Sequence, residues 1–212
     1  MSQMLLGIAP EWLPTLDNFV AGRNVELLAA LRQAAAGAAE VRAVYLWGEA
    51  GSGKSHLLQA MAAQHGVYAT RAVPEAASVV AVDDVEALDD AAQIALFELY
   101  NRMREQGGLL LVSGTQAPAR LSLRDDLRTR LGWGLVYQVH ALSDEEKAEA
   151  LRQHAGARGL ELPHEVTQYL LRHGRRDLPS LLQVLDALDE HCLRLKRVAT
   201  VPLLKEVMAG QG

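Results

Sequence analysis

Cysteine is almost absent from this chain of 212 residues, which contains only Cys192. A single thiol cannot form an intramolecular disulfide, and its position in an apolar helical pattern favours packing over reactivity. We therefore expect no redox chemistry.

Long apolar runs are also absent, although 50% of the residues are hydrophobic. No stretch approaches the ~18 consecutive apolar residues of a membrane span, and the N-terminus has no signal-peptide pattern. These absences predict a cytoplasmic globular protein with no membrane partner. The length is sufficient for one substantial core and a small second subdomain.

Positive charge is scarce as well, because 21 Lys and Arg residues stand against 26 Asp and Glu residues, for a net charge of −5. This sign is unfavourable for a protein whose main task is to neutralise nucleic-acid phosphates. We expect any association with DNA to be made mainly through a partner.

The most informative motif that is present runs from Gly48 to Ser55. Its residues, GEAGSGKS, fit the phosphate-binding loop (P-loop) pattern GxxxxGK followed by Ser or Thr at every fixed position. Lys54 would reach the terminal phosphates of a nucleotide and Ser55 would ligate magnesium. The predicted nucleotide-binding residues of this motif are Gly48, Gly51, Ser52, Gly53, Lys54, Ser55 and His56.

The alternative to a P-loop is a glycine-rich turn with a solvated lysine. The chain has only four lysines. A chance match is therefore expected in well under roughly 1% of such chains. The surrounding order also favours the P-loop, since the strand-like run Ala43–Trp47 precedes it and a helical pattern from Lys54 to about Gln64 follows.

An acidic pair follows a later apolar run. Val67–Thr70 is predicted to be a second strand and Ser78–Val82 a third, which leads into Asp83 and Asp84. After a P-loop this pattern predicts that Asp83 holds magnesium, directly or through water, and that Asp84 orients an attacking water. The alternative is that the pair caps a helix.

The remaining strands predict the fold class. A helix over Asp90–Gln106 precedes a fourth strand, Leu109–Ser113, and Leu135–Val139 is predicted to be the fifth. This alternation predicts an α/β fold with a five-stranded, mainly parallel sheet flanked by helices. Thr115, just after the fourth strand, is a candidate γ-phosphate sensor or an ordinary turn residue.

From Leu142 onward the pattern is helical only. Ser143 and Glu146 form a predicted capping box, and helical patterns follow at 163–172, at 179–197 and after Pro202. We expect a small all-helical lid over residues 142–212, an α/β base over 11–141, and a hinge near His140–Ser143.

These motifs together resemble an AAA+ module of the DnaA family. Asp17–Gly22 is similar to the segment that packs on adenine in that family, which implies nucleotide contacts by Phe19 and Val20. Leu127–Leu135 resembles the family's box VII, in which the arginine matched by Arg130 is the arginine finger. The alternative is that Arg130 belongs to a solvated helical face with Arg120, Arg124 and Arg128.

Two further features resemble the Hda group of DnaA-related regulators. The chain ends after the predicted lid, where DnaA carries a DNA-binding domain, so we expect no such domain. Residues 1–10 resemble a peptide that inserts into the bacterial sliding clamp, with Gln3, Met4, Leu5, Leu6 and Ile8 as the contacts. For these residues taken by themselves, the favoured alternative is a frayed or self-packing terminus.

The resemblance implies a regulator of replication initiation that binds ADP or ATP with Mg²⁺. It implies docking on a DNA-loaded sliding clamp, which would bring the protein to the nucleoid. There Arg130 would promote hydrolysis of ATP held by DnaA and prevent re-initiation. A homodimer or higher oligomer is compatible with it. The alternatives are a self-sufficient AAA+ ATPase, such as a helicase loader, and a passive nucleotide-binding scaffold.

The sequence departs from the family pattern at two places. Pro179 stands where DnaA-like lids have a phosphate-sensing arginine, and Arg175 or Arg176 is a candidate substitute. The span between Thr70 and Ser78 is too short for the helix that is usual there.

Overall fold

The computed structural model describes residues 13–37, 41–63, 66–75 and 77–210. The candidate clamp-binding peptide, Gln3–Ile8, lies outside the described residues. The strands are β1 Ala43–Trp47, β2 Gly66–Thr70, β3 Val79–Asp83, β4 Leu109–Gly114 and β5 Leu135–Gln138. The helices are α1 Val25–Ala35, α2 Lys54–Ala62, α3 Asp90–Gln106, α4 Asp125–Leu131, α5 Asp144–Ala157, α6 His164–His173, α7 Leu178–Leu195 and α8 Val201–Ala209.

The five strands form one sheet in the order β2-β3-β4-β1-β5, and every neighbouring pair is parallel. The predicted α/β fold is therefore confirmed. Strand β4 lies at the centre and all six of its residues are buried. Because parallel strands end at the same edge, the loops after β1, β3 and β4 meet there, which is where such sheets place their ligands.

Helices cover both faces of this sheet. Along β1, Val44 and Leu46 join a core cluster with α1 and α2, whereas Tyr45 joins the cluster on the opposite face with α3 and α4. This alternation follows from the two-residue period of a strand. Helix α1, which the sequence analysis did not predict, buries Leu27, Leu28 and Leu31.

The last four helices have a core of their own. Helices α5 to α8 share a buried cluster that includes Leu151, Leu170, Leu185 and Leu204. The predicted capping box is present at the start of α5, since Ser143 Oγ accepts from the backbone N–H of Glu146 at 3.2 Å. In return, a Glu146 carboxylate oxygen accepts from the N–H of Ser143 at 2.7 Å. We propose residue 142 as the start of the lid.

The connection between β2 and β3 is short, as expected. No helix forms in its described residues, 71–75 and 77–78. The helices of the described part of the chain include none long and apolar enough to cross a membrane.

Replacing Leu111 with alanine tests the central strand of this core. Leu111 is fully buried in β4, so the loss of its side chain should lower the free energy of unfolding by about 2–5 kcal/mol. Urea titration followed by circular dichroism measures the change. Leu193→Ala is the matched control, because Leu193 is 72% exposed and should change stability by less than about 0.5 kcal/mol. Equal effects of the two changes would contradict the described packing.

Candidate functional site

A cavity of about 600 Å³ opens at the carboxyl edge of the sheet. Four parts of the chain line it: a segment before α1, the P-loop region, Asp84 after β3, and residues of the hinge and lid. The segment before α1 contributes Pro14, Asn18, Phe19, Val20 and Asn24, and the P-loop region contributes 50–56 with Gln59. Asp84 and the hinge and lid residues His140, Leu142, Lys147, Arg175, Asp177, Leu178, Pro179 and Leu182 complete the lining.

The P-loop between β1 and α2 has two glycines, Gly48 and Gly53, at which any side chain would clash with its neighbours. Gly48 has a φ of 157°, and a Cβ there would lie 2.3 Å from the carbonyl oxygen of Val139. Gly53 has a φ of 100°, and a Cβ there would lie 2.7 Å from the ring of Phe19. Any side chain at these positions would distort the loop.

Lys54 is held inside this loop. Its ammonium donates to the carbonyl oxygens of Gly48 at 2.8 Å and Glu49 at 2.9 Å. An ammonium group has three donors, so one remains for an anion in the cavity. Burial lowers the pKa of Lys54, and the nearby carboxylates, led by Asp83, oppose that shift.

A second observation indicates that this loop suits a phosphate group. In the described part of the chain, Ser52 Oγ is the only buried side-chain polar atom without a hydrogen-bond partner. A buried hydroxyl without a partner is costly unless a ligand or water satisfies it. Ser55, the predicted magnesium ligand, is exposed and lines the cavity. The residues present therefore fit the phosphates of a nucleotide.

The two aspartates after β3 have different surroundings. Asp84 lines the cavity, whereas Asp83 is 2% exposed and is not part of the lining. Asp83 accepts hydrogen bonds from the hydroxyls of Tyr68, at 2.7 Å, and Ser113. Within the described residues, no cluster of three or more His, Cys, Asp or Glu suited to a metal is found. The magnesium site at Ser55 and Asp83 stays a prediction.

Thr115 is not part of the cavity lining. Its hydroxyl and its backbone N–H both donate to one carboxylate oxygen of Glu86, at 2.8 Å and 2.5 Å. The candidate phosphate sensor is thus engaged by Glu86, and its sensor role stays a prediction.

The segment before α1 folds over the start of α2. The Phe19 ring packs on Gly53 and lies 5.5 Å from the His56 ring, centroid to centroid. The Nε2 atom of His56 is 2.9 Å from the carbonyl oxygen of Thr15. Phe19, Val20 and His56 all line the cavity, and their contact with a nucleotide stays a prediction.

Asn24 is a site residue that sequence reasoning missed. Its buried side-chain amide donates to the carbonyl oxygen of His140 at 2.9 Å and accepts from the N–H of His140 at 2.7 Å. This pair of bonds joins the segment before α1 to the hinge. No local pattern signals such a bond, because its partners are 116 residues apart.

Pro179 lies in the lid wall of the cavity. That it stands in the place of a phosphate-sensing arginine stays a prediction from the family resemblance. Arg175 also lines the cavity, whereas Arg176 does not. The Arg175 side chain is 84% exposed and lies 3.5 Å from Asp177. Asp177 also caps α7, accepting from the N–H of Ser180 at 2.9 Å.

Arg130 lies away from this cavity, on the last turn of α4. Its guanidinium carbon lies 4.1 Å above the Trp133 ring, which is 62% exposed, and 5.8 Å from the Phe97 ring. A Cβ on Gly134 would meet the carbonyl oxygen of Ala43 at 2.5 Å. The end of α4 is therefore next to the start of β1, ~16 Å of strand away from the P-loop edge.

The neighbouring arginines of α4 differ from Arg130. Arg128 pairs with Asp125 at 2.7 Å and Arg124 pairs with Asp126 at 2.9 Å. In the part of the chain that the structure describes, Arg130 has no carboxylate partner. Its stacking on an exposed tryptophan distinguishes it from a paired, solvated arginine.

Two parts of the chain match models of known protein families. A family model of the lid domain of Hda matches residues 144–208, and a model of the bacterial DnaA ATPase domain matches residues 13–73. The chain is an Hda-like AAA+ protein. The two matches cover both the segment that carries the P-loop and the helical lid of this Hda-like protein.

Solved structures share the fold. Domain III of the Thermotoga maritima replication initiation protein DnaA is 19% identical with a TM-score of 0.73, over 92% of this chain and 95% of that one. AMPPCP-bound DnaA from Aquifex aeolicus is 20% identical with a TM-score of 0.70, over 84% and 67%. The Thermotoga maritima RuvB branch migration motor is 18% identical with a TM-score of 0.65, over 92% and 71%. At these low sequence identities, the structural similarity establishes the AAA+ fold and nothing more.

The burial of His56 predicts a pH dependence of stability. Burial lowers the pKa of His56, and the hydrogen bond to Thr15 opposes the shift only partly. A lowered pKa means that the unfolded chain binds the proton more readily. The contribution is therefore present above the unfolded pKa of ~6.5 and is lost as the pH falls through the folded pKa.

Urea titrations of the wild-type protein and His56→Gln between pH 7.5 and roughly 5 measure this contribution. The free energy of unfolding of the wild-type protein should fall more steeply with acidification than that of the variant. His164→Gln is the control for the substitution itself, because His164 is exposed. Parallel curves for wild type and His56→Gln would refute the assignment.

Proposed function

We propose that this protein regulates replication initiation by promoting hydrolysis of ATP bound to DnaA. The observation that carries the proposal is the position of Arg130, which has no acidic partner among the described residues and lies away from the cavity of its own chain. An arginine so placed is available to a nucleotide on another protein. The relationship to DnaA makes that initiator the candidate partner.

The proposed chemistry requires an arginine supplied in trans. A guanidinium that approaches the transferring phosphoryl group stabilises its developing charge, and in other nucleotide hydrolases this raises the rate by ~10³ to 10⁵. The exposed Trp133 ring beneath Arg130 limits the orientations of the guanidinium before contact. Trp133 also offers an aromatic anchor of the kind that often dominates protein interfaces.

The cavity of this chain would bind ADP or ATP as a structural ligand. The glycine cradle, the remaining donor of Lys54 and the unpartnered Ser52 hydroxyl support phosphate binding there. Ser55 and, through water, Asp83 would hold the accompanying Mg²⁺. Because the cavity is lined by both base and lid, a bound nucleotide would fix the lid against the base.

Removing the Arg130 guanidinium tests the proposal. In a mixture of DnaA, ATP and sliding clamp loaded on DNA, Arg130→Ala should reduce the stimulated hydrolysis by at least roughly 10³-fold while nucleotide binding by this protein is unchanged. Release of labelled phosphate measures the rate. Arg128→Ala is the matched control, since Arg128 lies on the same helix but is paired with Asp125. Equal stimulation by Arg130→Ala and the wild type would rule out the arginine finger.

The same assay separates the alternatives. We expect hydrolysis to be stimulated only when this protein, DnaA and loaded clamp are all present. Turnover by this protein alone would instead indicate a self-sufficient ATPase such as a helicase loader. No stimulation in any mixture would leave a passive scaffold.

Docking on the sliding clamp is a separate part of the proposal and rests on the sequence of residues 3–8. Replacing Gln3, Leu5 and Leu6 with alanine removes the polar contact and two apolar anchors, so clamp affinity should fall by roughly tenfold or more. Surface plasmon resonance with immobilised clamp measures it. Ser2→Ala serves as the control outside the motif. Retained affinity of the triple variant would exclude this peptide as the docking element.

A further inference from the structure

Two of the four lysines in the chain line the same cavity, and only one of them belongs to the P-loop. The other is Lys147, on α5 of the lid. Its side chain is only 13% exposed, which is unusual for lysine unless the ammonium has a partner. The cavity is therefore lined by one lysine from the base and one from the lid.

The stability of α5 does not explain a lysine at this position. Lys147 is the fourth residue of α5, and a cation near a helix N-terminus is disfavoured by the helix dipole. Its one ion pair among the described residues is with Asp144, at 3.8 Å, and the Asp144 side chain is 78% exposed. A pair that is this long and this solvated contributes little.

The packing of the lid places Lys147 at one end of the cavity. A Cβ on Gly22 would lie 2.7 Å from Leu142 and 3.0 Å from Glu146. The start of α5 therefore packs on the segment that carries Phe19 and Val20. The start of α7 lies at the other end, where a Cβ on Gly51 of the P-loop would be 4.0 Å from the backbone nitrogen of Asp177.

We propose that Lys147 is a nucleotide-binding residue that contacts the nucleoside half of the ligand. The inference rests on the proposed binding of an adenine nucleotide in this cavity. With phosphates on the P-loop, the sugar and base extend toward Phe19 and Val20, where the ammonium meets ribose hydroxyl oxygens and ring nitrogens. These atoms accept hydrogen bonds that an ammonium donates.

This contact would give the lid a side-chain hydrogen-bond donor to the nucleotide, which Pro179 cannot provide. Proline has no side-chain donor, and the Arg175 side chain is mostly exposed to solvent. Lys147 is the shielded lid cation of the cavity, and it belongs to the helix that directly follows the hinge. A bond from Lys147 to the nucleoside would couple occupancy of the cavity to the position of α5.

Calorimetric titration of Lys147→Gln with ADP and, separately, with inorganic pyrophosphate tests the proposal. Loss of a charged hydrogen bond should weaken ADP binding about tenfold and leave pyrophosphate binding unchanged. Lys147→Met is the second variant, and thermal unfolding without nucleotide establishes that each variant is folded. Asp144→Asn is the matched control, because it removes the ion-pair partner of Lys147 and keeps the ammonium.

Each other outcome overturns the proposal in a recognisable way. Wild-type affinity of Lys147→Gln for ADP would show that the ammonium makes no contact. An equal loss in Asp144→Asn would assign the effect to the ion pair. An equal loss for ADP and pyrophosphate would place Lys147 at the phosphates. Failure of the wild-type protein to bind ADP would contradict nucleotide binding as a whole. Normal ADP binding by the wild type, with unchanged affinity in the Lys147 variants, would contradict only this inference.

Discussion

The parallel pairing of β1 between β4 and β5 is the constraint on which the site depends. At the end of β1, the N–H of Gly48 donates to the carbonyl oxygen of Gly114 at 3.3 Å, and the N–H of Val139 donates to that of Trp47 at 2.7 Å. The first P-loop residue is thereby joined to β4, and the chain leading into the hinge is joined to β1. The position of the P-loop and the direction in which the chain leaves for the lid are set together.

This pairing brings together, around one cavity, the segment before α1, the P-loop and the start of the lid, which are remote in sequence. The amide of Asn24 ties the segment before α1 to the backbone of His140, and Gly22 packs against the start of α5. The P-loop also packs closely on this segment, because Phe19 fills the space that a side chain at Gly53 would need. A ligand here would therefore act on the lid and the base at once, which suits a regulatory nucleotide as well as a consumed one.

The same sheet keeps Arg130 away from the P-loop. Helix α4 ends where β5 and β1 begin, whereas the cavity opens where the strands end. A single chain thus offers a nucleotide cavity at one edge and a stacked arginine toward the other. For an Hda-like protein, this separation supports an arginine that acts on a partner rather than on its own cavity.

The sequence by itself determined the five strands, the P-loop, the acidic pair and the lid helices, because these depend on local periodicity, glycine spacing and caps such as Ser143 with Glu146. It did not reveal α1, the bonds of Asn24, or the place of Lys147 in the cavity. Only the tertiary structure decided that Asp84 lines the cavity while Asp83 and Thr115 are engaged elsewhere. The physical reason is that these contacts join residues 15 to 116 positions apart. Their geometry exists only once the strands are paired and the lid is packed.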